Sequence, residues 1–147
     1  MTEPIPEEDR LVEAARAVLA QAHAPYSGYA VGAALLDAEG QIHVGCNVEN
    51  ASFGLTICAE RTAVAHAVTL GARTFKALVI AFAKEPVVPP CGACRQVLAE
   101  FAPDLPVAWV GSGRVVGRAR LGELLPGAFD GGFLAVDRGR PGGDPGA

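Results

Sequence analysis

Three cysteines and one glutamate carry the densest chemistry in this 147-residue chain. Cys58-Ala-Glu60 precedes Pro90-Cys-Gly-Ala-Cys94, and the thiolates of Cys58, Cys91 and Cys94 make a zinc ligand set that leaves one tetrahedral position open. An open position admits water, as a catalytic zinc requires. Glu60 stands two residues after a ligand, so its carboxylate can reach that water without binding the metal and can accept and return a proton. The competing reading is a structural zinc module for protein interaction, which needs a fourth ligand. Cys46 is the serious candidate for that place; otherwise it reads as buried strand filler. His66 lies two helical turns beyond Cys58 and is too distant to share its metal. A C-x2-C pair alone, or a glutamate in a first helical turn alone, is ordinary. Their combination is specific.

The elements that must hold these groups follow from periodicity. Apolar and Ala positions recur at helical spacing over 7–21 and stop before Pro25. The runs 31–36 and 42–48 flank Asp37-Ala-Glu-Gly40 and read as a β-hairpin. A helix is expected over 57–70, ending at Gly71, then a buried strand over 77–82. Pro-rich sequence leads into a helix over 92–101, closed by Pro103. Strands at 106–110 and 115–119, and a short helix at 121–125, complete an α/β layered domain with a mixed sheet of about five strands. One domain is expected over 1–137, with a disordered Gly/Pro-rich tail at 138–147.

Both cysteine motifs start helices, where unpaired N–H groups favour thiolates. Three thiolates still leave a net negative centre around a divalent ion. Arg61 is therefore expected to donate hydrogen bonds to the sulfurs, with Arg95 and Gln96 supporting the cysteine loop.

Composition narrows the partners. Sixteen acidic and twelve basic side chains give a net charge of −4, with no Lys/Arg cluster to track a phosphate backbone, so nucleic acid is disfavoured as a substrate. No apolar run is long enough to span a membrane, and residues 1–10 lack the pattern of a signal peptide, so a cytoplasmic protein is expected. A reducing compartment favours metal binding over disulfides for the four cysteines. Half the residues are apolar, which points to burial between subunits as well as within one.

Cys46-Asn-Val-Glu-Asn-Ala-Ser, Cys58-Ala-Glu-Arg-Thr and Pro90-Cys-Gly-Ala-Cys-Arg-Gln together resemble the small homotetrameric zinc-dependent cytidine deaminases, in the variant whose zinc ligands are all cysteines. The resemblance runs from about Ala24 to Phe129. It implies a three-layer α/β/α domain, one zinc ion per subunit, and a homotetramer with active sites shared between subunits. It also implies that Asn47 and Glu49 hold the ribose hydroxyls, while the backbone of Ala59 and the carboxylate of Glu60 read the pyrimidine. Phe129 falls at the aromatic that packs on the base from a neighbouring subunit. Tyr29 stands where relatives carry Phe near the substrate, and Pro89 replaces a small hydroxyl residue.

The activity implied is hydrolytic deamination of cytidine and deoxycytidine to uridine and deoxyuridine, with release of ammonia, as part of pyrimidine salvage. In that reaction Glu60 takes a proton from zinc-bound water, protonates N3, and later delivers a proton to the departing amine.

Overall fold

The first strand, β1 (Val31–Asp37), is buried along its whole length, which explains why its apolar residues run on rather than alternate: helices cover both of its faces. The computed structural model describes residues 1 and 3–134. The tail expected at 138–147 lies outside the described residues.

Before β1 comes α1 (Glu8–Ala17), extended by a 3-10 turn over Val18–Gln21. After β1 the chain turns into β2 (Ile42–Cys46), then forms α2 (Ala59–Thr69), β3 (Phe75–Phe82), α3 (Gly92–Phe101), β4 (Pro106–Val110), β5 (Val115–Arg120) and α4 (Leu121–Leu124). The strand order is β2-β1-β3-β4-β5. Among the five described strands only β3 and β4 pair in parallel, and α3 makes the crossover between them. The five-stranded mixed sheet is the one expected.

Alternate residues of the sheet face opposite layers. Ala33, Leu35, Leu78, Ile80 and Val107 pack with Ala59, Ala63 and Ala67 of α2 and Leu98 of α3. Ala34, Leu36, Val79 and Val110 pack with Leu11 and Ala15 of α1 on the other side. The domain is thus three layers, α/β/α. Among the described residues no helix is long and apolar enough to cross a membrane.

Two local features fix the β1–β2 hairpin and seat α2 upon it. Asp37 Oδ1 accepts the N–H groups of Glu39 and Gln41, at 3.0 and 2.8 Å, and holds the β1–β2 turn with Gly40 at φ 84°. At Gly45 a Cβ would lie 2.3 Å from Ala63 N and 2.6 Å from Ala59 O. Only glycine lets β2 and α2 meet backbone to backbone, and this contact places the first turn of α2 on the sheet.

The boundaries correct the sequence reading by two residues in three places, the first being β3, which starts at Phe75 rather than 77. The helix expected from 57 begins at Ala59, because Ile57 is extended and exchanges backbone hydrogen bonds of 2.9 Å with Val48. Strand β2 ends at Cys46 rather than 48. Cys46 is also not buried filler: it is half-buried at the strand end, its thiol 3.5 Å from Gln21 O.

Candidate metal centre and substrate cleft

Cys58 and Cys91 are the N-cap residues of α2 and α3, each in extended conformation just before the helix. Cys94 is the third residue of α3 and fully buried. The two helices converge at these ends, so the three sulfurs lie within 4.8 Å of one another, with Cys58 Sγ 3.8 Å from Cys91 Sγ. A tetrahedral ion with Zn–S bonds near 2.3 Å separates its sulfurs by about 3.8 Å, so the donor set and spacing fit zinc. Among the described residues neither Cys46 nor any His belongs to this cluster. The four-cysteine structural module therefore loses its fourth ligand.

The charge around the sulfurs is arranged for a cation. The thiol of Cys58 is held far below its ordinary pKa by a hydrogen bond from Cys94, against the opposing effect of burial and with further help from Arg61. Cys94 is pushed up in turn, first by that shared proton and then by burial. A divalent ion would displace such protons. Arg61 lies beside the cluster: its Nη2 donates to Thr56 O at 3.3 Å and lies 3.9 Å from Cys58 Sγ. Arg95 braces the loop before α3, donating from Nε to Pro90 O at 2.7 Å and from Nη1 to Leu124 O at 2.8 Å. Gln96 makes its hydrogen bond elsewhere. It lies one residue further round the helix and donates to Phe129 O at 2.8 Å.

Glu60 occupies the second position of α2, is 5% exposed, and has its pKa pushed up to about 7, chiefly by burial and further by the neighbouring Cys58 thiolate. A carboxyl poised near neutrality is suited to both accepting and returning a proton.

Glu60, Cys58 and Cys91 line a cleft of about 760 Å³ whose wall also includes Ala59, Tyr29, Asn47 and Glu49. Asn47 is buried; its Oδ1 accepts Val31 N–H at 2.9 Å and its Nδ2 donates to Tyr29 O at 2.8 Å. Glu49 receives Ser27 Oγ at 2.7 Å. The Tyr29 ring lies 5.8 Å from that of Phe82, and its hydroxyl donates to Pro86 O across the cleft edge. Phe129 is 59% exposed and does not line the cleft of its own chain.

Sequence reasoning missed Ser27, Tyr26, Phe53, Phe82 and Val88, all on the cleft wall. The Tyr26-Ser27 pair sits within the Ala24–Tyr29 stretch, but a bond from Ser27 to Glu49 has no periodic signature. Among the described residues no Lys or Arg lines the cleft.

A three-layer α/β/α domain whose paired helix N-termini gather three thiols beside a buried glutamate defines a zinc-dependent deaminase, a hydrolase. Residues 6–108 match the family described as the cytidine and deoxycytidylate deaminase zinc-binding region, and the chain belongs to that family. It is 45% identical over 122 residues to a cytidine deaminase of Sporosarcina psychrophila, covering 82% of this chain and 90% of that one. It is 50% identical over 110 residues to one from Halalkalibacterium halodurans, covering 74% and 83%. The crystal structure of cytidine deaminase from Burkholderia pseudomallei superposes with a TM-score of 0.77 at 46% identity, covering 82% of this chain and 98% of that one.

Proposed function

We propose that this enzyme hydrolyses the C4 amine of cytidine and deoxycytidine, giving uridine or deoxyuridine and ammonia, in cytoplasmic pyrimidine salvage. One observation carries the reading: a single cleft holds thiols of the cysteine cluster, the buried Glu60 carboxyl and the polar pair Asn47 and Glu49. The thiols and Glu60 suit an aminated base, and the polar pair suits a sugar. Nucleosides are favoured over nucleotides, because the cleft wall carries two carboxylates and, among the described residues, no cation to receive a phosphate.

Zinc held by Cys58, Cys91 and Cys94 would supply a water acidified toward neutral pH. Glu60 takes a proton from the attacking water and gives it to N3 of the ring as the C4–O bond forms. The second proton passes through the same carboxylate to the amine as the C4–N bond breaks, so ammonia leaves as a neutral molecule. The burial that raises Glu60 suits it to both transfers. Ala59 begins α2, where a backbone N–H lacks an intrahelical acceptor and is available to the base. Arg61 offsets the negative charge of the sulfurs. Asn47 and Glu49 hold the sugar hydroxyls, with Tyr29 forming the wall beside them. We read the assembly as a homotetramer in which Phe129 covers the base in a neighbouring subunit; its exposure and its place outside the wall of its own cleft support this.

The test is a combined assay on purified protein of known zinc content, following uridine and ammonia from cytidine and deoxycytidine. Glu60→Gln is expected to keep zinc and to lose at least about a hundredfold in kcat. Zinc binding without turnover on either nucleoside, or substantial turnover left in Glu60→Gln, would reject the reading.

A further inference from the structure

Ser27 lies on the cleft wall beside Glu49, 31 residues before Cys58, and takes no part in the metal centre or the proton transfers. Its Oγ donates to Glu49 Oε1 at 2.7 Å, and its backbone N–H lies 3.2 Å from both carboxylate oxygens. Among the described residues these are the hydrogen bonds made to the Glu49 side chain.

The direction of the hydroxyl proton is determined. A carboxylate oxygen only accepts, so the Ser27 proton points at Glu49, while Tyr29 N–H donates to the same Oγ at 3.0 Å. The carbonyl of Tyr29 meanwhile accepts Asn47 Nδ2 at 2.8 Å. One residue's backbone therefore orients both of these polar side chains of the cleft wall, through Ser27 on one side and directly on the other. Oε1 of Glu49 takes the short bond, and Oε2 has only the long contact to Ser27 N. An acceptor edge is left for a ligand hydroxyl.

We propose that Ser27 is a positioning residue for sugar recognition: it holds the Glu49 carboxylate so that its second oxygen accepts the 3′ hydroxyl of the nucleoside. The proposal rests on the reading of Glu49 as a sugar anchor. A carboxylate locked before binding loses no rotamer freedom when the nucleoside enters, so removing the lock weakens recognition of the hydroxyl and not of the base.

The experiment compares kcat/KM of the zinc-loaded enzyme, Ser27→Ala, Ser27→Thr and Glu49→Gln on cytidine, deoxycytidine and 2′,3′-dideoxycytidine. Ser27→Ala is expected to lose about five- to tenfold on the two substrates with a 3′ hydroxyl, mostly through KM, and less than about twofold on the dideoxynucleoside. Ser27→Thr keeps the hydroxyl and is expected to keep the discrimination. Each ratio is internal to one variant, so a reduced folded fraction scales all three rates and leaves it unchanged. Equal losses on all three substrates in Ser27→Ala, no loss at all, or a Ser27→Thr that behaves as the alanine variant would overturn the proposal. Glu49→Gln separates the two levels. If it discriminates by the hydroxyl while Ser27→Ala does not, Ser27 alone is wrong; if it loses equally on all three, Glu49 is no sugar anchor and the proposal falls with it.

Discussion

Cys58 Sγ and Cys91 Sγ stand 3.8 Å apart although 33 residues separate them in the chain. Each caps a different helix, and both helices pack on the same face of the sheet. An ion joining them closes a loop that contains all of α2 and β3. By the loop-closure relation for a covalent cross-link, a closure of this length restricts the unfolded chain by roughly 3 to 4 kcal/mol. Cys91→Ala is expected to lose zinc and to lower the stability by an amount of this order, with a chelator causing no further change. A variant as stable as the zinc-loaded parent in urea denaturation would show that the ion does not act as a cross-link.

Arg61 is directed at the sulfurs and not at the cleft, so its replacement acts on the metal. Arg61→Gln removes the positive charge beside Cys58 and is expected to weaken zinc binding by about 10- to 100-fold. Competition against a chromophoric chelator measures this directly. Unchanged affinity would show that the arginine serves only the Thr56 carbonyl.

Gly45→Ala places a methyl group against backbone atoms of α2, which cannot rotate away. The expected cost is about 1 to 3 kcal/mol, accompanied by a fall in kcat, because the displaced turn carries Ala59 and Glu60. Gly113→Ala is the control, since a Cβ there meets nothing within 4 Å. Equal urea midpoints for the two variants would contradict the close contact.

Glu8 and Arg118 form a two-pronged pair, at 2.6 Å on each side, that ties α1 to β5. Arg118, against the effect of burial and with help from the Ile5 N–H, holds the Glu8 pKa below its ordinary value. A carboxyl lowered on folding adds stability that is complete above its unfolded pKa, about 4.3, and is lost as the pH falls through the folded value. The stability difference between the parent and Glu8→Gln should therefore be roughly 1 to 3 kcal/mol at neutral pH and shrink steadily below about pH 4. A difference independent of pH would mean that the pair contributes through packing alone.

Much of the scaffold was legible because its boundaries are chemical. Helix α3 is Gly92–Phe101 and strand β4 is Pro106–Val110, as expected from the prolines and glycines that border them. The thiols were legible because all three lie in two short motifs, each at a helix start. The start of α2 was less so: Ile57 continues the apolar period, yet its backbone pairs with Val48, a contact that no local pattern records. The same holds for Ser27 and Glu49, which meet from two loops 22 residues apart. Gln96 shows the limit from the other side. Its place beside the cysteine motif suggested a role there, but its position on the turning helix directs its amide to Phe129 O.

Asn47 has a double duty that separates it from its neighbour. Its side chain completes the hydrogen bonding of Val31 N–H, at the start of β1, as well as facing the cleft. Anyone redesigning the pocket for altered sugars would find position 47 closed, because each replacement must also supply the strand's missing acceptor or leave a buried N–H unpaired. Glu49 is tethered to a loop and carries no such obligation to the sheet. A library aimed at new nucleosides belongs at positions 27 and 49, with 47 left as it is.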